Sequence, residues 1–371
     1  MATADVIELE PLLSPIPGDT PTGLDLRADS SATSDYIKLK DARFAARAKE
    51  REIDGDPSLA GGELPEWRTI LDLAPKLLAT QTKDLEIAAW VLEALLRRHG
   101  FPGLRDGFRL VHGLVEKYWG GLYPVPDEDG VAATVAPLKA LNGEGADGTL
   151  IQPIRKVPVT DGGDEGPFAS WQYEQALKMA GVTGGGAREW HADVGTVTMD
   201  QIKASQKATK PKFFIDLVDD ITACEAEFAA LTKALDAACG NDSPPTSTIR
   251  RTLEAVAAIA RELGADALAA AQAREGAATS QGQGVTKGGQ GQGIASGAIS
   301  TREDAFATLA RVADYFRYSE PHSPISYTLD ELVRRGRMSL PELLNELITD
   351  TSQRRSFYVV AGMRPPEEPQ Q

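Results

Sequence analysis

The 371-residue chain is poor in the residues that usually support catalysis, metal binding or membrane insertion. It has two cysteines, four histidines and 6% aromatic residues. No apolar run approaches the roughly 18 residues of a membrane-spanning helix, and the first five residues lack the basic and apolar segments of a secretory signal. Since scarce cysteine favours a reducing compartment, we expect a cytoplasmic protein with no direct membrane insertion.

The cysteines and histidines do not have the spacing of a known metal or cofactor site. Cys224 and Cys239 lie on one predicted helix, where 15 residues correspond to roughly 22 Å, so they cannot pair with each other. The four histidines are scattered along the chain: His99, His112, His191 and His322. None has a cysteine or carboxylate at ligand spacing. We therefore predict no metal ligands, no cofactor and no catalytic residues.

Two segments share only part of a ligand-binding motif. Lys287 follows threonine and precedes glycine, whereas a Walker A lysine follows glycine and is itself followed by Ser or Thr. A calcium loop beginning at Asp127 would reach Leu138 at its twelfth position, where glutamate is needed. A helical metal-dependent hydrolase is kept as a less favoured alternative. Its cluster to examine is Asp84, Glu86, Glu93 and His99.

Charge is unevenly distributed along the chain. The formal net charge is −15, which argues against nucleic acid as a partner because phosphate binding depends on clustered Lys and Arg. Residues 301–364 differ, since their nine arginines balance nine acidic residues. A neutral module packs against copies of itself without the repulsion that an acidic body would impose.

Apolar residues with a helical period predict an all-α fold. Only 142–170 breaks the pattern, and its prolines favour extended chain. The last two long helices are predicted to form a hairpin, which the alanine-rich segment 265–273 extends. The predicted helices cover 35–52, 65–78, 85–98, 104–119, 131–141, 171–179, 211–238 and 249–263.

Four regions follow from this pattern: an N-terminal helical domain, 8–180; a middle helical region, 197–273; a flexible linker, 274–299; and a C-terminal helical domain, 300–363. The helical pattern is lost after Gly276, where 25 residues hold eight glycines and four glutamines. Such a coil spans on the order of 25–30 Å. The C-terminal domain is therefore predicted to move independently.

The C-terminal domain begins at a capping box formed by Ser300 and Glu303. A second helix is predicted over 325–334, and Ser339 with Glu342 opens a third. A module of roughly 60 residues buries only about 60% of the surface that its unfolded chain exposes and is marginally stable alone, so we expect its surplus apolar residues to drive self-association.

The candidate oligomerisation residues combine an apolar stripe, the following loop and a basic helix end. They are Phe306, Leu309, Val312, Phe316, Glu320, Pro321, Ser323, Pro324, Tyr327, Arg334, Arg335 and Leu343. The two arginines either form a solvated helix end or pair with Asp330 or Glu342 of a neighbouring copy.

An aromatic cluster is the candidate partner-binding surface of the N-terminal domain. It consists of Trp119, Tyr123 and Pro124, beside Tyr118. Aromatic residues anchor many interfaces, but the same cluster also suits a clasp between a helix end and a loop.

Several motifs, in order from about residue 8 to 350, resemble the ImpA family of the bacterial type VI secretion system. The N-terminal motifs are 17–27, 48–51, Trp67, 83–86, 100–104, 118–124 and 127–130. The C-terminal motifs are 300–305, 312–317 and 320–324.

The resemblance implies a non-enzymatic, cytoplasmic structural component. It implies a ring assembled from C-terminal domains, with N-terminal domains radiating from it, that contacts sheath, tube and baseplate proteins and coordinates baseplate priming and tube and sheath assembly. By the same resemblance we expect a short member of the family, without the extra C-terminal domain of the longer ones. The main alternative is a monomeric helical adaptor that binds a protein partner.

Overall fold

The chain forms two compact units, Met1–Gly284 and Val285–Gln371, which we call unit 1 and unit 2. A computed structural model describes residues 2–56, 59, 62, 64–128, 130–145, 147–164, 166–180, 197–281, 302–319, 324–348 and 350–360.

Helices build unit 1. They are α1 (Leu9–Leu13), α2 (Asp35–Gly55), α3 (Pro65–Thr80), α4 (Leu85–Tyr118), α5 (Ala132–Asn142), α6 (Ile151–Lys156), α7 (Ser170–Ala180), α8 (Met199–Ala208), α9 (Pro211–Cys239), α10 (Ser247–Leu263) and α11 (Ala265–Gln281). In the part of the chain that is described, isolated β-bridges occur but no strand. The all-α prediction is confirmed.

Helix α4 is the centre of unit 1. All residues from Ile87 to Leu96 are buried. They are apolar except Glu93, which is ion-paired to arginines of α2. The helix bends at Gly100, whose φ of 61° lies in the left-handed region that glycine tolerates best. The two helices predicted over 85–98 and 104–119 are therefore two arms of one kinked helix.

Helix α9 packs along the second arm of α4. The rings of Phe108 and Phe228 lie 4.9 Å apart, and the Cys224 thiol donates to the carbonyl of Phe101 at 3.0 Å. Helix α10 adds a buried apolar face that includes Leu253 and Val256. Helices from 8–180 and from 197–273 thus contribute to one hydrophobic core.

Two local predictions were wrong. Residues 151–156 are helical rather than extended, with Ile151 and Ile154 buried one turn apart. Pro153 is compatible with this helix because it lies in the first turn, where the N–H lacks an intrahelical acceptor. Helix α11 also continues past Gly276 to Gln281.

Unit 2 contains α12 (Arg302–Ser319), α13 (Ile325–Arg337), α14 (Leu340–Leu347) and α15 (Thr351–Val360). The capping box of Ser339 and Glu342 is present, whereas Ser300 lies outside the described residues. Helix α12 packs on α13, burying Ala313 and Val333. Helix α15 was not predicted, because its sequence is polar over its first half.

Within the described parts of the chain, no helix is both long enough and apolar enough to cross a membrane.

Candidate functional site

Three motif segments that are distant in sequence meet at the start of α4. Gly23 forms an antiparallel bridge with Thr82, and Asp84 forms a parallel bridge with Tyr123. The amide of Tyr123 donates to the carbonyl of Lys83 at 3.0 Å, and the amide of Lys83 donates to Thr22 at 2.8 Å. We call residues 22–27, 82–86 and 118–124 the junction.

Asp84 organises the charges of the junction. Its carboxylate caps α4 by accepting the amides of Glu86 and Ile87 at 2.8 and 3.1 Å. Arg27 donates to Asp84 at 2.5 Å and to Glu86 at 2.6 Å, and its guanidinium lies 5.0 Å from the centroid of the Tyr36 ring. These two carboxylates therefore fasten residues 22–27 to the first turn of α4.

Glu93 and His99 do not join Asp84 and Glu86 in one site. Glu93 is buried and accepts from Arg43, and from Arg47 at 3.2 Å. Burial would raise the pKa of Glu93, but nearby Arg43 and Arg97 outweigh it and the net shift is downward. His99 is exposed at the end of the first arm of α4.

The residues named for the hydrolase alternative thus do not form one site. Asp84 and Glu86 share Arg27, whereas Glu93 pairs elsewhere with Arg43 and Arg47, so all three carboxylates are ion-paired to arginines. Among the side chains that the structure describes, no group of three or more His, Cys, Asp or Glu residues is placed to hold a metal ion.

Lys83 is a fully buried cation beneath the junction. Its Nζ donates to the carbonyls of Leu12 and Leu78 at 2.7 and 2.6 Å and lies 5.6 Å from the centroid of the Tyr118 ring. Burial, together with repulsion from Lys117, lowers the pKa of Lys83 to about 8. Lys83 therefore holds α1 against the end of α3 at the cost of desolvating its charge.

The stability of unit 1 is expected to rise with pH between about 8 and 10, because unfolded Lys83 keeps its proton there while folded Lys83 loses it. The slope contributed by this one group reaches at most about 1.4 kcal/mol per pH unit. Urea unfolding followed by tryptophan fluorescence measures it, since all five tryptophans lie in unit 1.

Lys83→Met is the matched variant, and the difference in slope between the two proteins isolates Lys83 from every other titrating group. Parallel stability curves for the two proteins over this pH range would contradict the lowered pKa.

The aromatic cluster of the N-terminal region acts as a clasp in this structure. Tyr118 donates to the carbonyl of Leu13 at 2.9 Å, and Tyr123 donates to that of Gly23 at 3.2 Å. Trp119 is partly buried against the core. Pro124 follows a cis peptide bond and is half-buried. A partner-binding role for these residues stays a prediction.

The rim of the junction carries two exposed apolar side chains that the sequence did not single out, Leu24 and Val125. Leu24 lies in a Leu-Asp-Leu sequence and Val125 lies between two prolines. Neither belongs to a series of apolar residues with helical spacing, so the search for helical periodicity did not identify them.

In unit 2 the predicted oligomerisation residues differ in exposure. Tyr327 is 69% exposed and Val312 is also exposed. Pro324 is exposed at the start of α13. The partly buried members are Phe306, Leu309, Phe316 and Leu343. Glu320, Pro321 and Ser323 lie outside the described residues.

The Phe306 ring lies against the end of α13. Two guanidinium groups flank this ring, those of Arg302 and Arg337, with 5.3 and 5.7 Å to its centroid. An added Cβ at Gly336 would come within 2.4 Å of the same ring. Phe306 therefore contributes to the packing of α12 on α13.

The arginines of α13 have acidic partners within unit 2. Arg334 bonds to Glu331 and Glu346, each at 2.6 Å, and Arg335 bonds to Glu346 at 2.9 Å. The hydrogen bond from Arg334 lowers the pKa of Glu331 to about 2. The acidic residues that the sequence suggested as partners are also engaged within the unit.

Asp330 accepts from Arg317, and Glu342 completes the cap of Ser339. Within this chain the arginines pair with Glu331 and Glu346 rather than with Asp330 or Glu342. Their pairing with Asp330 or Glu342 of a neighbouring copy stays a prediction.

A groove of about 310 Å³ lies on the outer side of α13. We call it the α13 groove; its walls are Tyr327, Thr328, Glu331, Leu332 and Arg335. Leu332 is 53% exposed and was missed by the sequence analysis, although it lies five residues from Tyr327 on the same predicted helix. Ile325 and Leu347 add further exposed apolar surface to unit 2.

Comparisons with known proteins agree with the motifs. The family described as ImpA, N-terminal, type VI secretion system matches residues 13–143. The chain is 27% identical over 351 residues to the type VI secretion system component TssA1 of Pseudomonas aeruginosa, covering 93% of this chain and 96% of that protein.

A solved structure is also similar. It is the N-terminal domain, including the ImpA_N region, of the TssA component of the type VI secretion system from Burkholderia cenocepacia. The TM-score is 0.59 at 26% identity, covering 70% of this chain and 94% of that one. The resemblance predicted from the sequence motifs is confirmed.

Proposed function

Because this chain is a TssA-type protein of the ImpA family, a component of the type VI secretion system, we propose that it is a non-enzymatic, ring-forming scaffold of that apparatus in the cytoplasm. Unit 2 forms the ring by self-association. Unit 1 recruits other proteins of the apparatus, and the whole assembly coordinates baseplate priming with tube and sheath assembly.

The observation that carries the proposal is the apolar surface of unit 2. Its described buried apolar side chains are few: Ala313, Val333, Leu344 and Tyr358. Against this small core, the α13 groove presents Tyr327 and Leu332 with more than half of each side chain exposed. Large apolar side chains left uncovered on a small helical unit favour association, because association removes them from water.

The charges around the α13 groove fit contact between identical copies. Glu331 and Arg335 form its polar walls and pair with each other at 2.9 Å, so the groove carries both signs in balance. A second neutral unit approaches it without the repulsion that an acidic surface would impose.

We expect the double substitution Tyr327→Ser with Leu332→Ser to reduce the mass of the full chain in solution to that of the 39.6 kDa monomer. Light scattering behind a sizing column measures it. Both residues are exposed, so serine costs the folded unit little but removes the apolar contact area from the interface.

Phe44→Ser is the matched control, because Phe44 is 71% exposed on α2 of unit 1. This variant is expected to keep the mass of the unchanged chain. A monomeric unchanged chain would overturn the ring and favour the monomeric adaptor. An oligomer that survives the double substitution would exclude the α13 groove as its interface, and loss of the oligomer on deletion of 295–371 would then still locate assembly in unit 2.

A further inference from the structure

An N-terminal strap crosses α4 and α9 and is held by buried charges. We call residues 3–6 the strap. Beneath it lie Arg105 and Asp106 of α4 and Asp220 of α9, with 1%, 0% and 4% of their surfaces exposed. Three charged side chains this deeply buried need partners that satisfy them, and the strap supplies several.

The contacts are made largely to the strap's main chain. The amide of Thr3 donates to Asp220 at 2.8 Å and that of Val6 donates to Asp106 at 2.6 Å. Arg105 donates to the carbonyls of Thr3 and Ala4 at 2.6 and 3.2 Å. Two carboxylates thus accept hydrogen bonds from N–H groups three residues apart, and one guanidinium donates to two successive carbonyls.

Two side chains of the strap add selectivity. The Thr3 hydroxyl lies 2.9 Å from each carboxylate oxygen of Asp220. The Asp5 carboxylate accepts from Arg105 at 3.1 Å and from Arg109 at 2.9 Å. The site therefore fits a hydroxyl residue followed, two positions later, by an acidic one.

Helices α4 and α9 are held together without the strap. They are also joined by the ring pair of Phe108 and Phe228 and by the hydrogen bond from Cys224 to the carbonyl of Phe101. Arg105 also contacts Asp106 at 2.8 Å and Asp220 at 3.6 Å, and these ion pairs do not involve the strap. The two carboxylates thus share one guanidinium, and each also accepts a main-chain N–H of the strap in this structure.

We propose that Arg105, Asp106 and Asp220 form a binding site for an extended peptide, which the chain's own strap fills in this structure. Its ligands are extended segments with Thr or Ser at the first position and Asp at the third. The fourth position takes an aliphatic residue, since Val6 of the strap is partly buried against the core. A segment of this pattern from another chain binds by replacing the strap, so the strap acts as an internal competitor.

The test uses the full chain lacking residues 2–7 and a dye-labelled peptide of residues 2–8, with binding followed by fluorescence anisotropy. The deletion variant is expected to bind the peptide at least about 10-fold more tightly than the unchanged chain, whose site is occupied. A peptide carrying Thr3→Val is expected to bind the variant on the order of 10-fold more weakly, since Asp220 loses a hydrogen-bond donor.

A second variant keeps the chain complete in case the deletion disturbs folding. Thr3→Val with Asp5→Ala weakens the strap alone, and this protein is expected to bind the unchanged peptide more tightly than the unchanged chain does. If neither variant binds the peptide while tryptophan fluorescence reports a folded unit 1, the proposal is wrong. Equal binding to the variants and to the unchanged chain would place the peptide elsewhere and also overturn it.

Discussion

Leu309→Pro is expected to unfold α12 and to abolish self-association of the chain. Leu309 is the eighth residue of the 18-residue helix, so proline there removes an internal hydrogen bond and clashes with the preceding turn. The cost is about 3 kcal/mol or more. A small helical unit has little stability to lose, and α12 provides the main packing partner of α13. Mass by light scattering, together with helical circular dichroism, measures the effect.

Leu309→Met is the matched control, because it keeps the backbone N–H and nearly the same volume and usually costs less than about 1.5 kcal/mol. Tryptophan fluorescence is expected to be unchanged in both variants, since every tryptophan lies in unit 1. A proline variant that keeps the mass and helicity of the unchanged chain would show that α12 is not needed for assembly, which would contradict the proposed role of unit 2.

The helices were the part of this fold that sequence predicted best. Helix α9 illustrates why: Pro211 starts it and Gly240 ends it, and a regular apolar stripe lies between them. Residues 151–156 illustrate the limit, because Pro153 and Pro158 suggested extended chain. The burial of Ile151 and Ile154 against α4 and α10 favours the helix, and that contact cannot be inferred from local sequence.

The contacts between distant segments were not predicted. Arg27 lies 57 residues before Asp84, and no periodicity relates the two. The motif resemblance included both segments but did not indicate that they are in contact.

Of the residues that line the α13 groove, the sequence analysis singled out Tyr327 and Arg335 but not Leu332. The partners of Arg334 and Arg335 within the chain, Glu331 and Glu346, were not predicted, because several acidic residues lie within reach on α13 and α14.

Arg105→Met is expected to lower the free energy of unfolding of unit 1 by about 3–5 kcal/mol, which is the usual cost of removing one partner from a buried ion pair. Methionine fills much of the volume of arginine, so packing changes little. The loss comes from the charges: Asp106 and Asp220 stay buried without the guanidinium between them. Two carbonyls of the strap also lose their donor. Urea unfolding followed by tryptophan fluorescence measures the change.

Arg109→Met is the matched control, which distinguishes the loss of a buried charge from the loss of a more exposed one. Arg109 lies one turn further along α4 and, like Arg105, pairs with Asp5. Arg109 is 32% exposed, whereas Arg105 is 1% exposed. Solvent screens the charges that Arg109 leaves behind, so its loss is expected to cost no more than about 1 kcal/mol. Equal losses for the two variants would mean that Arg105 contributes only as a surface ion pair does. A large loss of unfolding free energy at Arg105 alone would mean that buried charges hold the strap in place. Releasing the strap would then require a ligand that offers the same hydrogen-bond donors and acceptors.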